Sequence, residues 1–234
     1  MKNVKRCFAT FLSALGIFWF SSCASLTGYQ DGKTIGKDNG EAMISLNISQ
    51  SPEYSNIEDS FDIEDIPSFI FPNIEVGGRY GVAENLDVTL RVNTNLNLAI
   101  GAKYQILGDR SADFAVSLGA EVGTFGLVTG IWNAQIPVYF SYHPSEKVAL
   151  YASPRYIFQF STIGGTEGWQ YAGGNIGVLF GSRHKLGIDA GLYSVGANGL
   201  DRINLITVGI GGKFFFGKEM EIASENRSGK KRRK

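Results

Sequence analysis

The side chains of this chain that could do chemistry are few, and they do not form a known catalytic motif. His143 and His184 are the two histidines, and the sequence contains no Gly-x-Ser-x-Gly turn, no His-Glu-x-x-His motif and no cysteine cluster. Asp87, Glu121 and Asp189 could pair for general acid–base catalysis, but each has an arginine or lysine on a neighbouring predicted strand. We therefore predict structural ion pairs, histidines exposed in turns, and no catalytic residue, metal or cofactor.

Charged residues of both signs recur within segments that are otherwise apolar, in phase with Gly, Ala, Ser and Asn. In a barrel of eight to ten strands the interior is largely filled by side chains. The charges therefore predict either a salt-bridged polar filling that holds a barrel shut, or a narrow aqueous pore whose charged lining selects small polar solutes. The nine predicted barrel-interior charges are Glu75, Arg79, Asp87, Arg91, Lys103, Glu121, Arg155, Asp189 and Lys213.

The segments that carry these charges alternate apolar and polar or small side chains with period two. In the clearest segment, 96–106, Leu96, Ile100 and Tyr104 lie on one face, and Lys103 lies on the other. A tilted strand needs about 9–11 residues to cross a bilayer, so this segment is long enough. We assign such apolar faces to lipid.

The alternation predicts an all-β fold, a closed antiparallel up-and-down transmembrane barrel of about ten strands, with eight left open. An even number returns the chain to the side from which it started. Every second connection is compact, as periplasmic turns are, and most of the others are longer, although the connection at 93–95 is short. The predicted strands are 41–48, 69–80, 86–92, 96–106, 113–123, 135–143, 148–160, 169–180, 186–195 and 203–216.

The first 22 residues are predicted to be a secretory signal peptide. Basic residues precede an apolar run from Phe8 to Phe20, which is too short to span a membrane, and small residues close it. Cys23 at the expected cleavage site predicts a lipidated N-terminus; cleavage nearby, for example after Ala24, is the alternative. The domain plan is then a signal at 1–22, a polar linker at 23–40, a barrel at 41–216 and a basic disordered tail at 217–234.

Together, the lipoprotein-like signal, the short polar segment that follows it and about ten alternating strands resemble the small outer-membrane β-barrel proteins of bacteria. In the last strand, Gly211, Phe214 and Phe216 are similar to the pattern of glycine and spaced aromatics that the barrel-assembly machinery recognises in this family. The resemblance implies a bacterial outer-membrane location, and outer-membrane lipid and the assembly machinery as partners.

Two charged segments lie outside the predicted strands. The segment 50–68 carries six acidic residues and no lysine or arginine, which predicts a solvated loop; binding of divalent cations is the alternative, without the spacing of an EF-hand. The chain ends in the basic block 230–234. Nucleic acid is not an expected partner of an exported chain, so we interpret this block as a solubilising tail; a periplasmic tail that contacts anionic cell-wall polymer or the inner lipid surface is the alternative.

The main rival for the fold is a lipid-anchored soluble barrel of the calycin type, with its apolar face turned inward around a small apolar ligand. Period two is common to both folds, and it does not say which face is outside. Bilayer-length apolar stripes and charges on the face rich in small residues favour the membrane barrel. The predicted function is a non-enzymatic outer-membrane barrel that acts as a small passive channel or in structural and surface interactions.

Overall fold

A computed structural model describes residues 25–50, 70–109, 111–125, 130–162, 168–197 and 202–217. The predicted signal with Cys23, nearly all of the acidic segment and the basic tail lie outside these residues. Within them, no helix is long and apolar enough to cross a membrane. The ten strands are β1 (Gly40–Gln50), β2 (Ile70–Ala83), β3 (Leu86–Asn93), β4 (Leu98–Leu107), β5 (Phe114–Thr124), β6 (Ile131–Ser145), β7 (Val148–Ser161), β8 (Trp169–Phe180), β9 (Lys185–Ala197) and β10 (Ile203–Phe216).

The ten strands form one closed antiparallel barrel. Each strand pairs with the next along the chain, and β1 closes the sheet by pairing with β10 from Gly40 opposite Phe216 to Gln50 opposite Ile206. The prediction of an up-and-down barrel is confirmed, with ten strands and not eight. Closure satisfies the backbone hydrogen bonds of every strand and leaves no free sheet edge.

The apolar faces of the strands point outward and the polar faces point inward. Along β4, Ile100 and Tyr104 are exposed, whereas Lys103 between them is buried. The same alternation continues around the barrel, with Ile176 on β8 and Leu192 on β9 more than half exposed. Contiguous apolar surface on this scale is unusual for a soluble monomer. The calycin-type alternative required the opposite arrangement, with the apolar face inside.

The connections divide the barrel into two ends. The end formed by the connections 84–85, 108–113, 146–147 and 181–184 is called the turn end below, and the end formed by 51–69, 94–97, 125–130, 162–168 and 198–202 is called the loop end. The turn at 108–113 is capped by Asp109, whose carboxylate accepts hydrogen bonds from the Ser111 hydroxyl and from the backbone N–H groups of Ser111 and Ala112. These bonds lower the pKa of Asp109.

Strand β4 begins later than the sequence predicted. Leu96 has a φ of 57°, and its N–H donates to the Asn93 carbonyl, so Leu96 belongs to the turn between β3 and β4. The Asn93 side chain also accepts hydrogen bonds from the N–H groups of Asn95 and Asn97. These local hydrogen bonds form a tight turn, which allows a short connection between β3 and β4 at the loop end.

Residues 25–39 are called the plug segment below, and they lie inside the barrel except for Lys37 and Asp38, which are exposed at the turn end. Leu26 packs against a cluster near the loop end that includes Tyr171 and Val195, and at the other extreme the Asp38 N–H donates to the Gly81 carbonyl at the turn end. The segment therefore runs down the lumen before the chain turns back into β1. The polar composition of these residues predicts a linker, and the structure places them in the lumen. The lumen is polar too, and its side chains supply the hydrogen bonds that a strand partner would supply.

Candidate functional site

All nine predicted barrel-interior charges lie on the lumen face of the wall, and all are buried. They come from seven strands, and each occupies a position whose side chain points inward. The structure gathers most of them into two clusters, one in the middle of the lumen and one at the turn end, and leaves Arg155 and Asp189 outside both.

The middle cluster is centred on Arg91. Its guanidinium binds Glu75, at 3.2 Å between Nη1 and Oε1, and also Glu121, through Nη2. Glu121 accepts further hydrogen bonds from the Tyr139 hydroxyl at 3.1 Å and from the Gln135 amide at 3.4 Å. Arg91 on β3 thus connects a carboxylate on β2 with one on β5, and these two strands are not neighbours in the barrel.

The turn-end cluster contains four cations of the wall. Arg79 binds Glu41 at 2.9 Å and Asp87 at 3.4 Å. Lys213 also binds Glu41, at 3.0 Å, and Lys103 approaches Asp87 at 3.8 Å. The fourth cation, Lys185 at the start of β9, binds a residue of the plug segment.

That residue is Asp31, and with Glu41 and Lys185 it was not among the predicted site residues. Asp31 binds Lys185 at 3.1 Å and lies 3.9 Å from Lys213. Glu41 shares the inward phase of Met43 and Ser45 on β1, so alternation could have found it. Asp31 belongs to no strand, and no periodic signal marks it.

Asp189 and Arg155 have no partner of opposite charge within 4.0 Å among the described residues. Asp189 accepts hydrogen bonds from the Tyr151 hydroxyl at 2.5 Å and from the Asn175 amide at 2.6 Å. The guanidinium of Arg155 donates to the Ser153 hydroxyl at 3.1 Å. The prediction that each acidic residue pairs with an arginine or lysine on a neighbouring strand therefore describes Asp87. Glu121 on β5 pairs instead with Arg91 on β3, beyond β4, and Asp189 has no such pair.

The backbone of the plug segment is bound by side chains of the wall. Its N–H groups at Gly28, Tyr29, Gly32, Thr34 and Ile35 donate to wall side chains, and its carbonyl groups accept from others. The wall acceptors are Asp189, Tyr151, Ser141, Gln105 and Asp87. The wall donors include Ser117 to the Gly32 carbonyl, Arg79 to the Lys33 carbonyl, and Lys103 to the carbonyls of Asp31 and Lys33. These bonds satisfy buried backbone groups that no sheet partner reaches.

The fit between plug and wall leaves no room for side chains at two glycines. A Cβ atom on Gly32 would overlap the Ala115 carbonyl oxygen, and one on Gly28 would overlap the Asp189 carboxylate. At Gly32 the obstructing atoms belong to the backbone of the wall, so glycine is required there, whereas at Gly28 they belong to the side chains of Asp189 and Asn175. The plug is therefore seated against the lumen and does not merely pass through it.

The two histidines occupy different environments. His184 is exposed in the turn before β9, as predicted, and its ring lies 5.9 Å from that of Phe214. His143 was also predicted to be exposed, but it is buried, with its Nε2 2.9 Å from the Ser141 hydroxyl. The reason is that β6 extends to Ser145 and keeps His143 in an inward phase. In the described part of the chain, no group of three or more His, Cys, Asp or Glu residues could hold a metal.

The residues of the predicted assembly signal lie on β10 beside the closing seam with β1. Phe214 and Phe216 point outward near the turn end, and Gly211 lies against the ring of Tyr29 in the plug. Their recognition by the assembly machinery stays a prediction.

No protein-family model matches the chain, and no curated protein matches it in sequence. Among solved structures, the chain is similar to an outer membrane channel from Pseudomonas putida F1, with 8% identity and a TM-score of 0.45 over 81% of this chain and 100% of that one. It is also similar to the NanC porin, with 10% identity and a TM-score of 0.42 over 73% and 98% of the two chains. The outer membrane protease OmpT from Escherichia coli has 10% identity and a TM-score of 0.41 over 77% and 97%. Two of these proteins are a channel and a porin, and the third is a protease.

Proposed function

We propose that this protein is a non-enzymatic bacterial outer-membrane β-barrel whose lumen is closed by its own plug segment. The observation that carries the proposal is the distribution of side chains, apolar outside and charged inside a closed barrel. Such a molecule needs an apolar solvent around it, because water would face a continuous band of Ile, Leu, Val and Phe side chains. A bilayer provides that solvent.

Of the two roles that the sequence left open, the seated plug favours a closed, structural barrel at rest. Its residues span the lumen from the cluster at Leu26 to the turn end at Asp38. A passive channel would require a continuous aqueous path, and the plug occupies that path. Passage of a small polar solute then depends on displacement of the plug.

The turn end is proposed to face the periplasm and the loop end the cell surface, as the lengths of their connections favour. Outer-membrane lipid is the proposed partner of the outer face. Lipidation of Cys23 and recognition by the assembly machinery belong to the same proposal, and the signal and the β10 pattern support them.

Gel mobility and conductance test this function. The mature protein, refolded in detergent, is expected to need detergent for solubility and to change its mobility on boiling, because a closed barrel resists the gel detergent until it is heated. In a planar bilayer it is expected to insert and to show no steady openings. A monodisperse protein without detergent would overturn the membrane assignment, and steady openings of the unaltered chain would overturn the closed lumen.

A further inference from the structure

The four wall cations of the turn end, Arg79, Lys103, Lys185 and Lys213, surround one acidic residue of the plug, Asp31. They are called the cation ring below. The two lysines nearest to the Asp31 carboxylate approach it on different oxygens, Lys185 on Oδ2 at 3.1 Å and Lys213 on Oδ1 at 3.9 Å. The Lys103 ammonium donates to the Asp31 backbone carbonyl at 3.2 Å.

The wall does not balance the cation ring by itself. Glu41 and Asp87 are its wall counterions, and Arg79, Lys213 and Lys103 already share them. Among the described residues, Lys185 has Asp31 as its one acidic partner within 4.0 Å. Four cations thus face two acids, and Asp31 supplies a third acid from the plug. Buried charges without a counterion are costly, so the ring without Asp31 would favour another anion in its place.

We propose that the cation ring is a binding site for small carboxylates and that Asp31 is its built-in ligand, which a carboxylate-bearing solute replaces when the plug is displaced. The inference rests on the proposed function and names the solute class that the barrel would admit. The ligand chemistry follows from the present occupant, which is itself a carboxylate on a one-carbon side chain. An acetate ion matches the part of Asp31 that enters the ring.

Chemical rescue tests the site without requiring the plug to move. In Asp31→Ala, the change removes the carboxylate and leaves its space, so we expect a lower thermal unfolding midpoint in detergent than in the unaltered protein. Sodium acetate is then expected to raise that midpoint progressively with concentration, beyond sodium chloride at equal ionic strength. An equal response to the two salts would overturn the carboxylate assignment.

Three matched variants make the rescue specific. Asp31→Asn removes the charge but keeps the volume, so it leaves no space for acetate and little rescue is expected. The fold is expected to be better preserved in this variant than in Asp31→Ala. Asp38→Ala makes the same chemical change in the same segment, but Asp38 is exposed and accepts a hydrogen bond from the Tyr80 hydroxyl outside the ring, so no rescue is expected. Adding Lys185→Gln to Asp31→Ala is expected to weaken the rescue, and full rescue in that double variant would contradict the ring.

Ion selectivity gives a second measurement. Asp31→Ala weakens the anchor of the plug, so openings are expected in a planar bilayer, with a reversal potential in a KCl gradient that indicates preference for anions. Preference for cations in those openings would overturn the inference. The two proposals fail differently: a variant set that lacks the boiling-dependent mobility shift refutes the barrel itself, whereas a normal shift without acetate rescue refutes only the carboxylate site.

Discussion

Replacing Arg91 by methionine is expected to destabilise the barrel more than any other single change in the middle cluster. Arg91 is 3% exposed, and its guanidinium binds Glu75, Glu121 and the Ser25 hydroxyl. Methionine has a similar length and no charge, so the substitution leaves two buried carboxylates without a cation between them. Ser25 of the plug loses its hydrogen bond from Arg91 at the same time and keeps those with Thr27.

The expected loss of stability depends on which hydrogen bonds and ion pairs Glu75 and Glu121 retain without Arg91. Removing one partner of a buried ion pair costs about 3–5 kcal/mol, chiefly because the remaining charge is left buried. Glu121 retains hydrogen bonds from Tyr139 and Gln135, whereas Glu75 has no other charged partner among the described residues. We therefore expect a loss of about 3–5 kcal/mol in the free energy of unfolding. Adding Glu75→Gln should recover part of it.

Arg155 provides a matched control in the same lumen. It is 5% exposed and donates to Ser153, and no carboxylate among the described residues lies within 4.0 Å of its guanidinium. Arg155→Met removes a buried charge and one hydrogen bond, which is worth about 1 kcal/mol. The expected loss is therefore about 1 kcal/mol or less, despite the equal change in chemistry and volume.

Both variants can be measured by denaturant unfolding in lipid vesicles, followed by the fluorescence of Trp132 and Trp169, the tryptophans of the barrel. Unfolding is compared at equal lipid and pH, with the boiling-dependent gel shift as a check that each variant starts from a closed barrel. Equal losses for the two arginines, or a larger loss for Arg155→Met, would refute the role assigned to the Arg91 bridge.

Two further predictions concern the outer face and the plug. Ile176 is 65% exposed in the middle of β8, and Leu186 is 68% exposed beside a turn. Substitution by arginine is expected to lower the free energy of unfolding by about 2–4 kcal/mol at Ile176 and by about 0–1 kcal/mol at Leu186. Equal unfolding free energies for the two variants in vesicles would contradict a bilayer around the barrel. Gly32→Ala is expected to displace the plug and produce openings in planar bilayers, because the added Cβ would meet the Ala115 carbonyl. In Gly40→Ala the nearest contact of the added Cβ is at 3.8 Å, so the lumen should remain closed. Identical conductance traces for the two variants would argue against a seated plug.

The strands were predictable because the alternation of apolar and polar side chains that defines them repeats every two residues. The prediction of 86–92 corresponds to Leu86–Asn93, and that of 203–216 coincides with Ile203–Phe216. The largest error at a strand end is in β6, which begins at Ile131 and not at 135. Residues there carry polar inward side chains such as Asn133, which resemble a loop until their pairing with β5 and β7 is known.

The plug and its ligands were not predictable in the same way. Alternation identifies inward positions on strands, and so it identified Lys103 and Lys213, but it carries no information about a segment that is neither strand nor helix. Asp31 and Lys185 are 154 positions apart in the sequence, and they meet only because the barrel closes around the plug. Such a contact has no local signature, and the polar composition of residues 25–39 suits a linker equally well.

The path of the plug has a consequence for how the molecule can be assembled. Gly28 and Asp189, which are bonded in the lumen, are 161 residues apart, so this contact cannot form until the later strands are in place. The plug also leads directly into β1, and β1 closes the barrel against β10. We expect seating of the plug and closure of the last seam to be a single late event during insertion. The plug then already lies in the lumen when β1 pairs with β10, so no open pore crosses the membrane during that step.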